Sequence, residues 1–185
     1  APAQQDKRAL WPQPKSPFSA AETAAVNARV AQLLAGMSLE EKVGQMVVAE
    51  MGFITPEQTQ EFSVGAVLEA GGAYLNKNKQ AKISDWVLQT QRYYAASVNK
   101  TGGRAGIPIL WGTDALHGHN KAFGATIFPH NIGLGASRNG DLVRRIGEVT
   151  ALETLIAGKN WTYAPVVSVV RDDRWGRSYE SYAEN

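Results

Sequence analysis

Short apolar runs alternate along this chain with stretches whose apolar residues recur at helical spacing. Runs within residues 46–51, 64–68, 107–113 and 161–170 predict buried strands. Residues 84–97 and 141–158 predict amphipathic helices. The expected apolar faces of these two helices are formed by Trp86, Val87, Tyr93 and Tyr94, and by Leu142, Ile146, Val149, Leu152 and Leu155. Such alternation of strands and helices predicts βαβ units and a parallel sheet.

Three further helices are predicted by their start signals. Ser19 and Ser38 each stand three residues before a glutamate, which is the pattern of a capping box. Thr55 followed by Pro56 predicts a short helix that ends near Phe62. Residues 1–18 are rich in proline and predict an extended arm, so the folded domain is expected to occupy residues 19–185.

Two polar blocks follow predicted strands and bring together groups that could bind a ligand. Residues 112–120 read Gly-Thr-Asp-Ala-Leu-His-Gly-His-Asn, and residues 171–182 read Arg-Asp-Asp-Arg-Trp-Gly-Arg-Ser-Tyr-Glu-Ser-Tyr. Parallel α/β folds place their ligand sites at the carboxyl ends of strands. A carboxylate, a guanidinium and flat aromatic faces suit a sugar, which offers hydroxyls and apolar ring faces. From the residues alone, Asp114 could equally cap a turn, and Arg177 could equally form a structural pair with Glu180 or Asp172.

Composition and charge exclude several classes of function. Hydrophobic residues make up 44% and charged residues 19% of the sequence, as in globular proteins. A formal charge of +2, with the basic residues scattered, gives no support for a nucleic-acid or membrane-surface partner. The absence of cysteine excludes disulfides, thiolate metal sites and a cysteine nucleophile. No apolar run is long enough for a membrane span.

Several blocks together resemble the glycoside hydrolase family 3 β-glucosidases and exo-β-glucanases. The similar stretches follow one another in the family's order from about Pro14 to the last residue. They comprise residues 37–46, 65–68, 107–120, 125–131, 175–177 and 179–182. The resemblance implies a (β/α)8, TIM-barrel-like catalytic domain, and retaining hydrolysis of terminal β-linked glucose without a cofactor. With about four predicted strands against the eight of a full barrel, only the first half is expected in these residues.

The resemblance also assigns roles to individual residues. Asp114 and Arg177 align with residues that bind sugar hydroxyls in the innermost subsite. Glu180 is expected to hold Arg177, Trp175 to form a wall or packing contact, and His117 to shape the loop around the pocket. The catalytic nucleophile and the acid/base of the family are expected outside these residues, so the segment would supply binding groups and would be inactive and poorly folded alone. The remainder of the same polypeptide is therefore an expected partner.

Other interpretations of the same residues are weaker. His117 and His119 form a His-x-His pair with His130 nearby, but no further ligand of suitable spacing is evident, so no metal site is predicted. Glu69 is expected to touch the pocket rim or to be solvated. The lysines do not follow predicted strands as a Schiff-base aldolase would require.

Two broader questions stay open at the level of sequence. A non-catalytic carbohydrate-binding domain is the main alternative function. The start, Ala-Pro-Ala-Gln-Gln, is typical of a mature end after signal cleavage, which favours a periplasmic or extracellular location, although an engineered start would have the same composition.

Overall fold

The structure, a computed structural model, describes residues 17–69 and 71–183. The chain divides into two compact units, Ala1–Met37 and Ser38–Asn185. The first unit contains helix α1, Ala20–Gly36, and the predicted capping box between Ser19 and Glu22 is present at its start. The arm predicted for residues 1–18 lies outside the described residues, apart from Pro17 and Phe18.

The second unit is built on a parallel sheet. Its strands are β1 Val48–Glu50, β2 Ala66–Leu68, β3 Leu110–Thr113 and β4 Trp161–Thr162. They lie in the order β1-β2-β3-β4, with every neighbouring pair parallel. Strands that follow each other in sequence are therefore neighbours in space, as successive βαβ units produce. The predicted α/β class with a parallel sheet is confirmed.

Two helices of the second unit begin at the caps that the sequence predicts, whereas the short helix Asn131–Ala136 was not predicted. Ser38 and Glu41 form the second capping box, and Thr55 caps a helix with proline in its first turn. The helices are α2 Leu39–Gln45, α3 Pro56–Glu61, α4 Ile83–Ser97, α5 Asn131–Ala136 and α6 Gly140–Ile156. Two short 3-10 helices, Leu75–Lys77 and Ser178–Glu180, lie in the connections.

The core of the second unit lies on one face of the sheet, against α4. Val67 and Trp111 point to this face and are almost fully buried, together with Trp86 and Tyr93 of α4. The rings of Tyr93 and Trp111 meet edge to face with centroids 5.0 Å apart. The Tyr93 hydroxyl donates a hydrogen bond of 2.6 Å to the carbonyl of Ile54. This packing holds α4 against β2 and β3.

The strand predicted within residues 46–51 is present, but the prediction that it is buried is wrong. Met46 is 86% exposed and Val48 is 46% exposed. β1 is an edge strand that pairs only with β2 among the described strands, and Met46 is the C-cap of α2 rather than part of the strand. On α4, Tyr94 is also exposed, because Tyr93 occupies the buried side of that turn.

The buried face of α6 differs from the predicted one. Leu142, Val149, Leu152 and Leu155 are all more than a third exposed, and of the predicted stripe only Ile146 is buried. The buried line instead continues through Thr150 and Thr154. The Thr154 hydroxyl donates to the Thr150 carbonyl, so its polar group is satisfied inside the helix and the side chain can be buried.

The apolar run at 161–170 forms a much shorter strand than it suggests. β4 contains only Trp161 and Thr162, and Val167 is 83% exposed. Pro165 has no N–H to offer to a sheet ladder, so regular pairing cannot continue through it. The polar block of residues 171–182 therefore follows an irregular segment and ends in a 3-10 helix.

Candidate functional site

Asp114 lies at the carboxyl end of the sheet, directly after β3. Thr113 pairs with Thr162 of β4, and the Ala115 amide donates to the Thr162 hydroxyl at 3.1 Å. These bonds on both sides hold the backbone of Asp114. Within the described residues, the Asp114 carboxylate has no hydrogen-bond or ion-pair partner. Both of its oxygens are therefore able to accept hydrogen bonds from a ligand.

Arg177 is held by Glu180 in a two-point ion pair. Arg177 Nε lies 2.8 Å from one carboxylate oxygen of Glu180, and a terminal nitrogen lies 2.7 Å from the other. These hydrogen bonds lower the pKa of Glu180 and raise the pKa of Arg177, with a smaller contribution from the charge of Asp114 on the arginine. The expected pair is present, and it orients a guanidinium whose remaining N–H groups are solvent-accessible.

Asp114 and Arg177 line one cleft of about 290 Å³. This volume is close to the lower end of the range for small-molecule sites. The other lining residues are Leu116, His117, Gly118, Asn120, Ile127, His130, Tyr163, Tyr179 and Glu180. Polar groups and aromatic rings dominate the lining, so the cleft offers both hydrogen-bonding atoms and flat surfaces.

The loop after β3 folds back on itself to form one wall of the cleft. Gly118 has a φ of +107°, and a Cβ at this position would come within 2.1 Å of the Thr126 carbonyl oxygen. Only glycine fits this approach. A ring nitrogen of His117 lies 2.8 Å from the Phe128 carbonyl, and its ring contacts that of His130 at 4.2 Å between centroids. His117 therefore shapes the loop, as the resemblance implies, and also faces the cleft.

A second part of the cleft wall is fixed by contacts between α5 and the 3-10 helix Ser178–Glu180. The buried amide of Asn131 donates a hydrogen bond of 2.8 Å to the backbone carbonyl of Glu180. A Cβ at Gly135 would lie 1.6 Å from the Tyr182 carbonyl oxygen, so this glycine permits direct helix-to-backbone contact. The Tyr179 ring meets His130 edge to face at 4.8 Å, closing the wall.

The remaining candidates lie away from the cleft. Trp175 is 41% exposed and is not among the lining residues. His119 is fully buried on the other side of its loop, so the His-x-His pair does not converge. Across the described parts of the chain, no group of three or more histidine, aspartate or glutamate side chains could hold a metal ion.

The prediction for Glu69 is wrong. Its side chain is neither at the rim nor solvated but fully buried, and it forms a 2.6 Å ion pair with the equally buried Lys159. Sequence reasoning missed this pair because the two residues are far apart in the chain. One local signal existed: side chains alternate along a strand, so Glu69 shares the buried face with Val67.

A parallel sheet with a polar cleft at its carboxyl end is the usual arrangement of ligand sites in α/β domains. Comparison with known proteins gives the family directly: residues 38–185 match the glycosyl hydrolase family 3 N-terminal domain. The chain belongs to this family.

Two curated relatives and one solved structure illustrate the similarity. The chain is 32% identical to a periplasmic β-glucosidase of Salmonella typhimurium over 86% of its length, and this covers 19% of that protein. It is 26% identical to a lysosomal β-glucosidase of Dictyostelium discoideum, covering 84% of the chain and 20% of that protein. The crystal structure of an exo-1,3/1,4-β-glucanase from a Pseudoalteromonas species is 49% identical, with a TM-score of 0.79, over 85% of this chain and 20% of the other.

The similarity to the exo-glucanase structure confirms the fold. The described sheet and helices are a TIM-barrel-like fragment, as expected. The chain spans about a fifth of the length of the curated relatives it matches.

Proposed function

We propose that this chain is the N-terminal part of the catalytic barrel of a β-glucosidase or exo-β-glucanase. In this proposal residues 19–185 form the first half of a (β/α)8 barrel, and the remainder of the same polypeptide completes it. The observation that carries the proposal is the convergence of Asp114 and Arg177 on one cleft at the carboxyl end of the sheet. The names of the relatives, β-glucosidases and an exo-glucanase, support the same reaction class.

The two side chains are complementary in their hydrogen bonding. The Asp114 carboxylate only accepts hydrogen bonds, and the Arg177 guanidinium only donates them. Neighbouring hydroxyls of a pyranose can donate to one and accept from the other, so a sugar satisfies both groups at once. Tyr163 and Tyr179 line the same cleft and offer surfaces for the apolar ring face.

The described cleft supplies binding rather than covalent chemistry. Retaining glycosidases need two carboxyl groups, typically about 5–5.5 Å apart on either side of the scissile bond. The cleft holds Asp114 and Glu180, but both oxygens of Glu180 are bonded to Arg177, and its pKa is lowered by those bonds. A carboxylate in this state cannot act as a general acid. The nucleophile and the acid/base are therefore assigned to residues outside this chain.

A non-catalytic carbohydrate-binding domain is the alternative, and turnover distinguishes the two. The full-length protein that carries this chain is incubated with an aryl β-glucoside, and the first sugar released is followed by proton NMR. The proposal predicts release of the β-anomer, which then mutarotates. Binding of glucose or a β-glucan without any turnover would favour the carbohydrate-binding alternative.

We further propose that the protein is exported to the periplasm or the extracellular space. The periplasmic location named for one relative supports this. Within residues 17–69 and 71–183, no helix combines the length and apolar character needed to cross a bilayer. Cell fractionation with an antibody against this chain tests the location, and recovery with cytoplasmic markers would contradict it.

A further inference from the structure

A buried charged network lies behind the strand end that carries Asp114. Lys159 Nζ lies 2.6 Å from Glu69 Oε1 and 3.0 Å from His119 Nε2. The same ammonium group lies over the ring of Trp86, 3.6 Å from its centroid. Glu69, Lys159 and His119 are each fully buried. None of them lines the cleft, so the network is separate from the sugar site.

The network reaches the residues on both sides of Asp114 in the sequence. The Thr113 hydroxyl, immediately before Asp114, donates to the same Glu69 oxygen that Lys159 contacts. On the other side, the loop that follows Asp114 is anchored by His119, whose neighbours Gly118 and Asn120 line the cleft. The pair therefore connects the end of β2, the end of β3 and the segment just before β4 through specific hydrogen bonds.

Burial shifts the pKa values of the three residues in this network. Burial lowers the pKa of Lys159 to about 8, opposed by the attraction of Glu69, and it raises the pKa of Glu69. Burial, together with the positive charges of Lys159 and Lys121, lowers the pKa of His119 to about 3. His119 is therefore neutral near pH 7, and its Nε2 accepts a hydrogen bond from Lys159.

The stability of the fold does not by itself explain why an ion pair is buried at this position. Replacing such pairs with apolar residues of similar volume is often neutral or stabilising, because taking two charges out of water is unfavourable. Apolar residues, however, cannot orient a hydroxyl and an imidazole. The hydrogen bonds to Thr113 and His119 fix the strand end and the loop in one geometry, which packing alone leaves less defined.

We propose that Glu69 and Lys159 are positioning residues for Asp114: through Thr113 and His119 they hold the end of β3 and the following loop so that the Asp114 carboxylate meets the sugar. This inference rests on the proposed function, since it assumes that Asp114 binds substrate. It assigns a role in the glycosidase site to two residues that do not touch the cleft.

The test measures coupling between the pair and Asp114 in the full-length enzyme. The double variant Glu69→Leu with Lys159→Met removes the network without leaving one buried charge unpaired. We expect it to fold, to raise KM, and to lower kcat/KM on an aryl β-glucoside by roughly tenfold to a hundredfold. In an Asp114→Asn background the same double variant should lower kcat/KM by no more than about twofold, because the group it positions is already lost.

The outcomes separate this inference from the proposed function. If Asp114→Asn alone leaves kcat/KM unchanged, the proposed function fails. If Asp114→Asn lowers kcat/KM but the double variant causes equal losses in both backgrounds, or none in either, the positioning role is overturned and the proposed function stands.

Two further variants guard against effects on folding alone. Thr113→Val keeps the side-chain shape but removes the hydroxyl that bonds Glu69, so it tests the same connection if the double variant does not fold. Its loss of kcat/KM should also disappear in the Asp114→Asn background, and additive losses would overturn the proposal. Tyr93→Phe is the matched control: it removes a partly buried side-chain hydrogen bond of the same unit, to the Ile54 carbonyl, which does not involve the loop after Asp114. It should lower Tm without changing kcat/KM.

Discussion

Arg177 donates two nearly parallel hydrogen bonds to Glu180, at 2.8 and 2.7 Å, from a guanidinium that also lines the cleft with Asp114. Glu180 is only 7% exposed, and its backbone carbonyl is tied to the buried Asn131. The arginine itself is largely exposed. The buried carboxylate thus orients the long, exposed side chain of Arg177 before a ligand arrives. Less side-chain entropy of Arg177 is then lost when the ligand binds.

Glu180→Gln should weaken sugar binding by loosening Arg177. The amide can accept from one guanidinium nitrogen but places its own donor opposite the other. We expect KM to rise and kcat/KM to fall by about fivefold to tenfold, since one charge-assisted hydrogen bond is lost. Steady-state kinetics of the full-length protein on an aryl β-glucoside measure this.

Asp172→Asn provides the matched control for that experiment. Asp172 forms the same kind of two-point pair with Arg174, at 2.5 and 2.9 Å, but neither residue lines the cleft. This substitution should leave kcat/KM unchanged. Equal losses from both substitutions would indicate that general effects of charge, rather than the orientation of Arg177, explain the result.

Gly135→Ala should damage the site from a distance. The added methyl would lie 1.6 Å from the Tyr182 carbonyl oxygen, so α5 and the backbone beside Glu180 must separate. We expect a loss of about 1–3 kcal/mol in the free energy of unfolding, as for other overpacked positions, together with a lower kcat/KM. Thermal unfolding and kinetics on the same preparation measure both.

Gly133→Ala on the same helix is the control for that substitution. The nearest atom to an added Cβ there is 3.9 Å away, which is ordinary contact. Alanine favours helices over glycine, so the free energy of unfolding should stay the same or rise by up to about 1 kcal/mol. A destabilisation of similar size in both variants would contradict the packing that we describe between α5 and residue 182.

His119 should make the protein less stable in acid. Its pKa is about 3 in the folded state against 6.5 for an ordinary histidine, chiefly because it is buried. Between these values the unfolded chain binds a proton that the folded chain excludes. The stability is therefore fully present above pH 6.5 and is lost as the pH falls towards 3, by at most roughly 1.4 kcal/mol per pH unit from this group.

His119→Gln isolates that contribution. The glutamine carbonyl can accept the hydrogen bond from Lys159 but does not titrate. Denaturant unfolding at a series of pH values should give a shallower decline between pH 6.5 and 3 for the variant than for the wild type. Identical slopes would mean that His119 binds a proton as readily in the folded protein as in the unfolded chain, contrary to its burial beside two lysines.

The sequence predicted the features that depend on local signals or on strand order. Ser19, Ser38 and Thr55 mark helix starts because their side chains bond nearby backbone amides, which requires no tertiary information. Asp114 was expected at a strand end beside the block containing Arg177, and both line one cleft. The local structure around Arg177 differs from the predicted one, because Arg177 lies in a turn rather than at the end of a buried strand.

The features that the sequence did not predict depend on distant contacts. The spacing of apolar residues does not determine which of two adjacent faces of a helix packs against the protein. In α6 the buried face carries Thr150 and Thr154, whereas Leu152 and Leu155 are exposed. The pair of Glu69 and Lys159 arises only when the end of β2 and the segment before β4 are brought together. No pattern within either segment names the partner.

Asp114 is the central residue of the proposed sugar site. Asp114→Asn keeps the shape of the side chain but removes its charge and places a donor where an acceptor is required. The decisive measurement is kcat/KM of the full-length protein on an aryl β-glucoside, with Asp172→Asn as the control and Tm recorded for each variant. We predict a loss of about 2–4 kcal/mol in transition-state stabilisation for Asp114→Asn, with Tm nearly unchanged. A kcat/KM equal to that of the wild type would contradict the assignment of this cleft as the sugar site.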